Sequence, residues 1–207
     1  MHIYVDDQPF AVGELGSKTI RDIAQEVRDS LVPQGRMVVA IFVNGQSRPV
    51  PPAEIEATLD SPASKYERVD FQSAPPQTLA REVLRQARAL VAEASPTCQQ
   101  AGELLSAGQT ARAMELLGNC FGVWSTVQES MTKSVQLLGL DLSKMEVSGQ
   151  PAEQLLQQFA EQLRQVKEAL ENRDYVQLAD ILQYELQEVA PRWQGLLDRL
   201  VQQIEEL

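Results

Sequence analysis

The sequence predicts an α+β chain in two parts: a small strand-and-helix segment, then a region of long amphipathic helices. Apolar residues recur with the period of a strand before Ala74-Pro75-Pro76 and with the period of a helix after it. A composition of 43% hydrophobic and 23% charged residues lets both parts bury a core. The expected domains are residues 1–74 and residues 78–207, the second built from helical hairpins at 78–138 and 151–206.

In the first part, His2-Ile3-Tyr4-Val5 alternates polar and apolar as a half-buried strand does, with Ile3 and Val5 inward and Tyr4 outward. Asp6-Asp7-Gln8 has turn chemistry, and Pro9 to Val12 can return as a second strand. Thr19 supplies a capping hydroxyl and Asp22 an acid three residues later, which marks a helix start. Ile20, Ile23, Val27 and Leu31 then share one face, and Pro33 and Gly35 end the helix. Met37 to Val43 is an unbroken apolar run suited to a central strand, and Asn44-Gly45 is a strong hairpin signal. Pro49, Pro51 and Pro52 limit the return to a short strand. A helical turn over residues 53–59 and a last strand over residues 66–72, with Val69 and Phe71 on one side, complete the segment.

The order strand, strand, helix, strand, short strand, strand resembles the ubiquitin-like β-grasp fold. The resemblance covers roughly residues 1–73 and rests on Met1-His2-Ile3-Tyr4-Val5, the single amphipathic helix, and Ile41-Phe42-Val43-Asn44-Gly45. It implies a conjugated modifier, a sulfur carrier or a recognition module. The first two need a free C-terminal Gly-Gly, whereas this segment runs on through Ser73-Ala74-Pro75-Pro76, and no Gly-Gly occurs in the chain. Recognition by the outward face of a sheet is the role that remains. Val38 to Val43 is apolar at both parities, so one alternate set has no helix to cover it. By analogy with the strand-turn pattern, Val39, Ile41 and Val43 are expected to be that set. With Tyr4 they would form an apolar patch, either for a partner or for docking on the helical part.

In the second part, Leu79, Val83, Ala87, Leu90 and Val91 follow helical spacing after Thr78, a candidate cap. Ser95-Pro96 is expected to kink or restart this helix, and Gly108 to stop it. Thr110 opens the stripe Met114, Leu117, Phe121, Trp124, Met131, Val135 and Leu138, with breaks at Gly139 and Ser148-Gly149. Pro151 starts a helix with Leu155, Leu156, Phe159, Leu163, Val166 and Leu170 along one side. Asp174 caps the last helix, whose residues Ala179, Leu182, Leu186, Val189, Trp193, Leu196 and Leu200 lie close to a heptad seam. Pro191 removes a ladder hydrogen bond there, so a kink is expected near Gln187. Burying four stripes together predicts an antiparallel four-helix bundle with Trp124 and Trp193 in its core. The segment Asp174 to Leu186 also resembles helical regions of uncharacterised bacterial proteins, a likeness that implies no activity.

Charge narrows the function. The net charge is −11, and both parts share it: residues 1–76 hold 7 Lys/Arg against 11 Asp/Glu, and the remainder 11 against 18. Such a surface repels phosphate backbones and anionic lipid, so no nucleic-acid partner is expected. Arg81, Arg85 and Arg88 make a local basic cluster beside Glu82, expected to be a solvated helix face. No apolar run is long enough to span a membrane, and no Sec-type signal opens the chain. With two cysteines, Cys98 and Cys120, the chain is expected to be cytoplasmic. These cysteines lie at comparable distances from the turn at Gly108 and could face each other, but two separate buried thiols are the favoured expectation.

The single histidine, His2, leaves no basis for zinc, di-iron or triad chemistry, and neither a P-loop nor a GxGxxG motif is present. No metal, cofactor or catalytic residue is therefore expected. Asp180, Tyr184 and Glu185 on the last helix form the most suggestive polar group, a candidate contact for a partner helix. The expected function is a non-enzymatic interaction or adaptor protein that binds a protein partner or self-associates. The alternatives are a small chaperone shielding an amphipathic client segment and, less favoured, an enzyme working through carboxylates and tyrosine. If the two parts are separate domains, residues 78–207 expressed alone should give a helical circular-dichroism spectrum and a cooperative melt. An unfolded fragment beside a stable full chain would contradict the division.

Overall fold

In the computed structural model, which describes residues 1–13 and 17–207, strands come first and helices follow, a mixed α+β arrangement. The chain divides into two units, Met1–Leu79 and Ala80–Leu207.

The first unit contains β1 (His2–Val5), β2 (Gln8–Pro9), α1 (Ile20–Leu31), β3 (Met37–Val43), α2 (Pro52–Leu59) and β4 (Arg68–Ala74). The sheet order is β2-β1-β4-β3, with β1 and β4 parallel and the other pairs antiparallel. Asp6 and Asp7 take positive φ values of 49° and 63°, the geometry of a tight two-residue hairpin loop, which Asp tolerates better than most residues. The Asp6 carboxylate accepts hydrogen bonds from Ser73 N at 2.7 Å, Ser73 Oγ at 2.6 Å and Arg36 at 3.1 Å, tying the loop to the end of β4. Burial pushes this carboxyl up, but the Ser73 and Arg36 donors outweigh it and hold it below the ordinary carboxylate range. β2 is confined to Gln8–Pro9, although pairing with β1 reaches one residue further, where Phe10 N donates to Ile3 O at 2.8 Å.

Thr19 and Asp22 close the expected capping box, and Ile20, Ile23, Val27 and Leu31 are all buried against Ile3, Ile41, Val69 and Phe71. Gly35, at φ 64°, takes the left-handed turn beyond the helix. Asn44-Gly45 forms its turn with both φ values positive, and Asn44 Oδ1 accepts from Glu67 N at 2.9 Å. The short return strand does not form. Val50 N donates to Ile41 O at 2.8 Å, and Pro49 and Pro51 on either side of Val50 have no N–H to extend the pairing.

The expected outward set on β3 is corrected by a bulge. Val38 pairs with Ser73 and Ala40 with Gln72, so Val39 is an extra residue and the parity shifts there. Ile41 is 5% exposed and lies in the core, and Val43 packs against the same core; neither belongs to an outward patch. Val39 is exposed, as expected.

The helices are α3 (Pro76–Ser106), α4 (Thr110–Leu138), α5 (Ala152–Glu171), α6 (Tyr175–Asp180) and α7 (Leu186–Glu205), with a small hairpin of β5 (Glu146–Val147) and β6 (Gln150–Pro151) between α4 and α5. α3 begins at Pro76, so Thr78 lies inside its first turn, and it continues through Pro96. Its buried residues Ala80, Leu84, Ala87, Val91, Ala94, Cys98, Ala101 and Leu105 alternate at spacings of four and three, a heptad seam. α4 does the same with Ala113, Leu117, Cys120, Trp124, Val127, Met131 and Ser134. Leu79, Val83, Leu90, Met114 and Phe121 are half-buried beside these seams, in which Ala, Cys and Ser alternate with Leu, Val, Trp and Met. A π-turn at Ile181–Glu185 joins α6 to α7 and is the irregularity on the last helix, upstream of the expected kink.

Arg85 pairs with Glu205, Arg88 with Asp198, Ser95 with Gln187 and Ser106 with Gln183, so α3 runs antiparallel to the last helix. Cys98 and Cys120 occupy facing seam positions 6.1 Å apart at Cα and form a disulfide between α3 and α4, in place of two separate thiols. A bridge closing a loop of this size contributes about 3 kcal/mol. Denaturant unfolding with and without reductant should show a loss of that order, with thiol titration confirming full reduction. A midpoint that does not move would contradict the pairing.

Candidate functional site

Two places stand out: the outer face of the sheet and a cavity at the edge of the helical core. On the outer face of the sheet, the register sets Tyr4 of β1 beside Asp70 of β4 and Asp70 beside Phe42 of β3. Arg68 lies over the Tyr4 ring at 4.3 Å and holds Asp70 through Nε at 2.9 Å and Nη2 at 2.5 Å. A hollow of about 260 Å³ opens beside this row, lined by Asp7, Phe42, Gly45, Gln46, Arg68, Asp70 and Gln72. Tyr4 was legible as outward from its parity, and Arg68 could have been found the same way, opposite the inward Val69 and Phe71. Phe42 was missed because the bulge on β3 leaves no mark in residue types.

The second surface lies between α4 and α5. Trp124, Phe159 and Trp193 pack as a triangle with ring centroids 4.8, 5.1 and 5.6 Å apart. Phe159 and Trp193 form the wall of a cavity of about 280 Å³, closed further by Met131, Val135, Leu142, Leu156 and Leu163. Gln128, Thr132, Gln136 and Ala160 complete its lining, which contains no charged residue. Trp193 is 1% exposed, and its indole N–H has no acceptor among the described residues; the same is true of Trp124. Both rings were expected in the core and are there. The cavity itself was not legible, because stripe residues alone do not say which gap between helices stays unfilled.

Asp180, Tyr184 and Glu185 are brought together at the π-turn, all exposed, with Tyr184 at 66%. Val176, one turn before Asp180, is 75% exposed. π-turns occur frequently at functional positions, and here the turn leaves Leu182 and Leu186 buried while Tyr184 points away. Arg81, Arg85 and Arg88 are engaged with Glu205 and Asp198 rather than standing as a free basic cluster.

Among the described residues no helix is long and apolar enough to cross a membrane. What these features define is an α+β chain whose helical region carries a recognisable domain. Residues 82–196 match the family described as "Domain of unknown function (DUF8042)", and the chain belongs to that family. No curated protein and no solved structure matches it.

Proposed function

We propose that this chain is a non-enzymatic interaction protein whose N-terminal unit, a ubiquitin-like β-grasp domain, recognises a protein partner through the outer face of its sheet. The β2-β1-β4-β3 order, the parallel β1–β4 pair and the amphipathic helix α1 packed against the sheet residues support the fold assignment. The observation that carries the function is the row Tyr4, Arg68, Asp70 and Phe42. Tyr and Arg are the residue types that dominate binding hot spots. Here the Arg68 guanidinium is already oriented by Asp70 and by the Tyr4 ring, so little side-chain freedom is lost on docking. The helical unit, read as an antiparallel four-helix bundle of two hairpins, gives the chain its second surface. A second reading, a small chaperone shielding an amphipathic client segment, has the apolar groove between α4 and α5 in its favour.

The test uses the full chain as bait in extract of the native host, with captured proteins identified by mass spectrometry. A partner retained by wild type and by Arg48→Ala should be lost from Tyr4→Ala and Arg68→Ala, each weakening it by about thirtyfold or more. Melting of the variants should stay close to wild type. Equal retention by all four chains would remove the sheet face from the account.

A further inference from the structure

We propose that the hollow on the outer face of the sheet takes an arginine or lysine side chain of the protein partner, so that the partner presents a basic segment to this face. The inference rests on the sheet-face reading and names what that face recognises.

The charges that line the hollow do not cancel. Asp7, Arg68 and Asp70 set one cation against two carboxylates. Arg68 is spent on Asp70, at 2.9 Å through Nε and 2.5 Å through Nη2. Of the groups that strengthen its hold on its proton, Asp70 comes first, by direct hydrogen bond, and Asp7 acts only through space. Asp7 is exposed and has no ion-pair or hydrogen-bond partner among the described residues. Gln72, on the same outward parity as Arg68 and Asp70, also lines the hollow and is exposed, and its amide oxygen can accept from an ammonium or guanidinium. Phe42 offers hydrocarbon along which a methylene stem lies while its charged head reaches a carboxylate. The volume, about 260 Å³, is ample for one such side chain, given that about 150 Å³ suffices for benzene. Other side chains fit worse. A carboxylate reaching Arg68 meets Asp70 and the unpaired Asp7. A purely apolar group strips water from three charged residues and returns nothing. The net charge of −11 also favours the approach of a basic segment.

The full chain, ¹⁵N-labelled, is titrated with acetyl-arginine methylamide, its neutral isostere acetyl-citrulline methylamide, and acetyl-glutamate methylamide. The arginine probe should move the amide signals of Gly45, Gln46 and Gln72. It should bind about three- to fivefold tighter than the citrulline probe, the margin of one partly exposed ion pair. The glutamate probe should bind more weakly than either. Asp7→Asn should make arginine and citrulline equal; asparagine tolerates the φ of 63° at this position, so the hairpin loop is kept. Arg68→Ala, which unpairs Asp70, should hold the arginine probe at least as tightly as wild type. Equal affinities for arginine and citrulline in wild type would overturn the proposal, as would a margin that survives Asp7→Asn or tightest binding by glutamate. Capture of the protein partner separates this inference from the reading beneath it. Asp7→Asn should weaken capture about three- to fivefold. Capture lost from Arg68→Ala and unchanged by Asp7→Asn would keep the sheet face as an interface and overturn the basic contact. Equal retention by wild type, Tyr4→Ala and Arg68→Ala would remove the face itself, and the contact with it.

Discussion

The helical unit depends on the contact among Trp124, Phe159 and Trp193. Each ring comes from a different helix, and the three centroid distances of 4.8 to 5.6 Å place every pair within the range where tilted aromatic rings attract. Each edge adds about 0.5–1.5 kcal/mol beyond the area its rings bury. Removing a ring down to Cβ costs about 3–5 kcal/mol where the core cannot collapse. Beside the triangle, Phe159 and Trp193 line the cavity together with Met131, Val135, Leu156 and Leu163.

Elsewhere in this unit the helices approach closely because small residues let them. A methyl group added at Gly102 would come within 2.6 Å of the Gln183 side chain and 3.1 Å of the Ala179 carbonyl, so α3 meets the last helix there through backbone. Alanine and cysteine of the α3 and α4 seams share one buried cluster with Leu182, Leu186, Trp193 and other large residues of the last helix, a mixture of sizes that lets a core fill evenly. The Ser95–Gln187 pair sits among these contacts. Ser95 Oγ donates to Gln187 Oε1 at 2.6 Å, and Gln187 Nε2 returns to Ser95 O at 3.0 Å and to Leu182 O at 3.3 Å. One side chain thus serves both helices at the point where the π-turn disturbs the ladder of the last one.

Much of the fold was legible in the sequence where one side-chain pattern has one physical reading. Ile20, Ile23, Val27 and Leu31 could only share a helix face, and the Thr19–Asp22 box and the Asp174 cap stand where their chemistry places them. The seams of α3 and α4 were less legible because alanine, serine and cysteine carry weak apolar signal, so the reading followed the larger flanking residues instead. The cysteine pairing followed from those seams and was missed with them. On β3 the bulge at Val39 moved Ile41 and Val43 inward, and a bulge depends on pairing between distant strands rather than on local residue type. The candidate surfaces divide in the same way. Tyr4, the Arg68–Asp70 pair two residues apart on one strand and the group at Asp180 follow from local spacing, while the cavity and the placing of Phe42 beside Asp70 arise from tertiary packing.

The central claim is that the three rings act as one unit rather than as separate core residues. A double-mutant cycle tests it most directly, using denaturant unfolding of wild type, Trp124→Leu, Phe159→Leu and the combined variant. The account predicts a coupling of about 0.5–1.5 kcal/mol between the two positions. Losses that simply add would show that Trp124 and Phe159 stabilise the helices independently, and would contradict it.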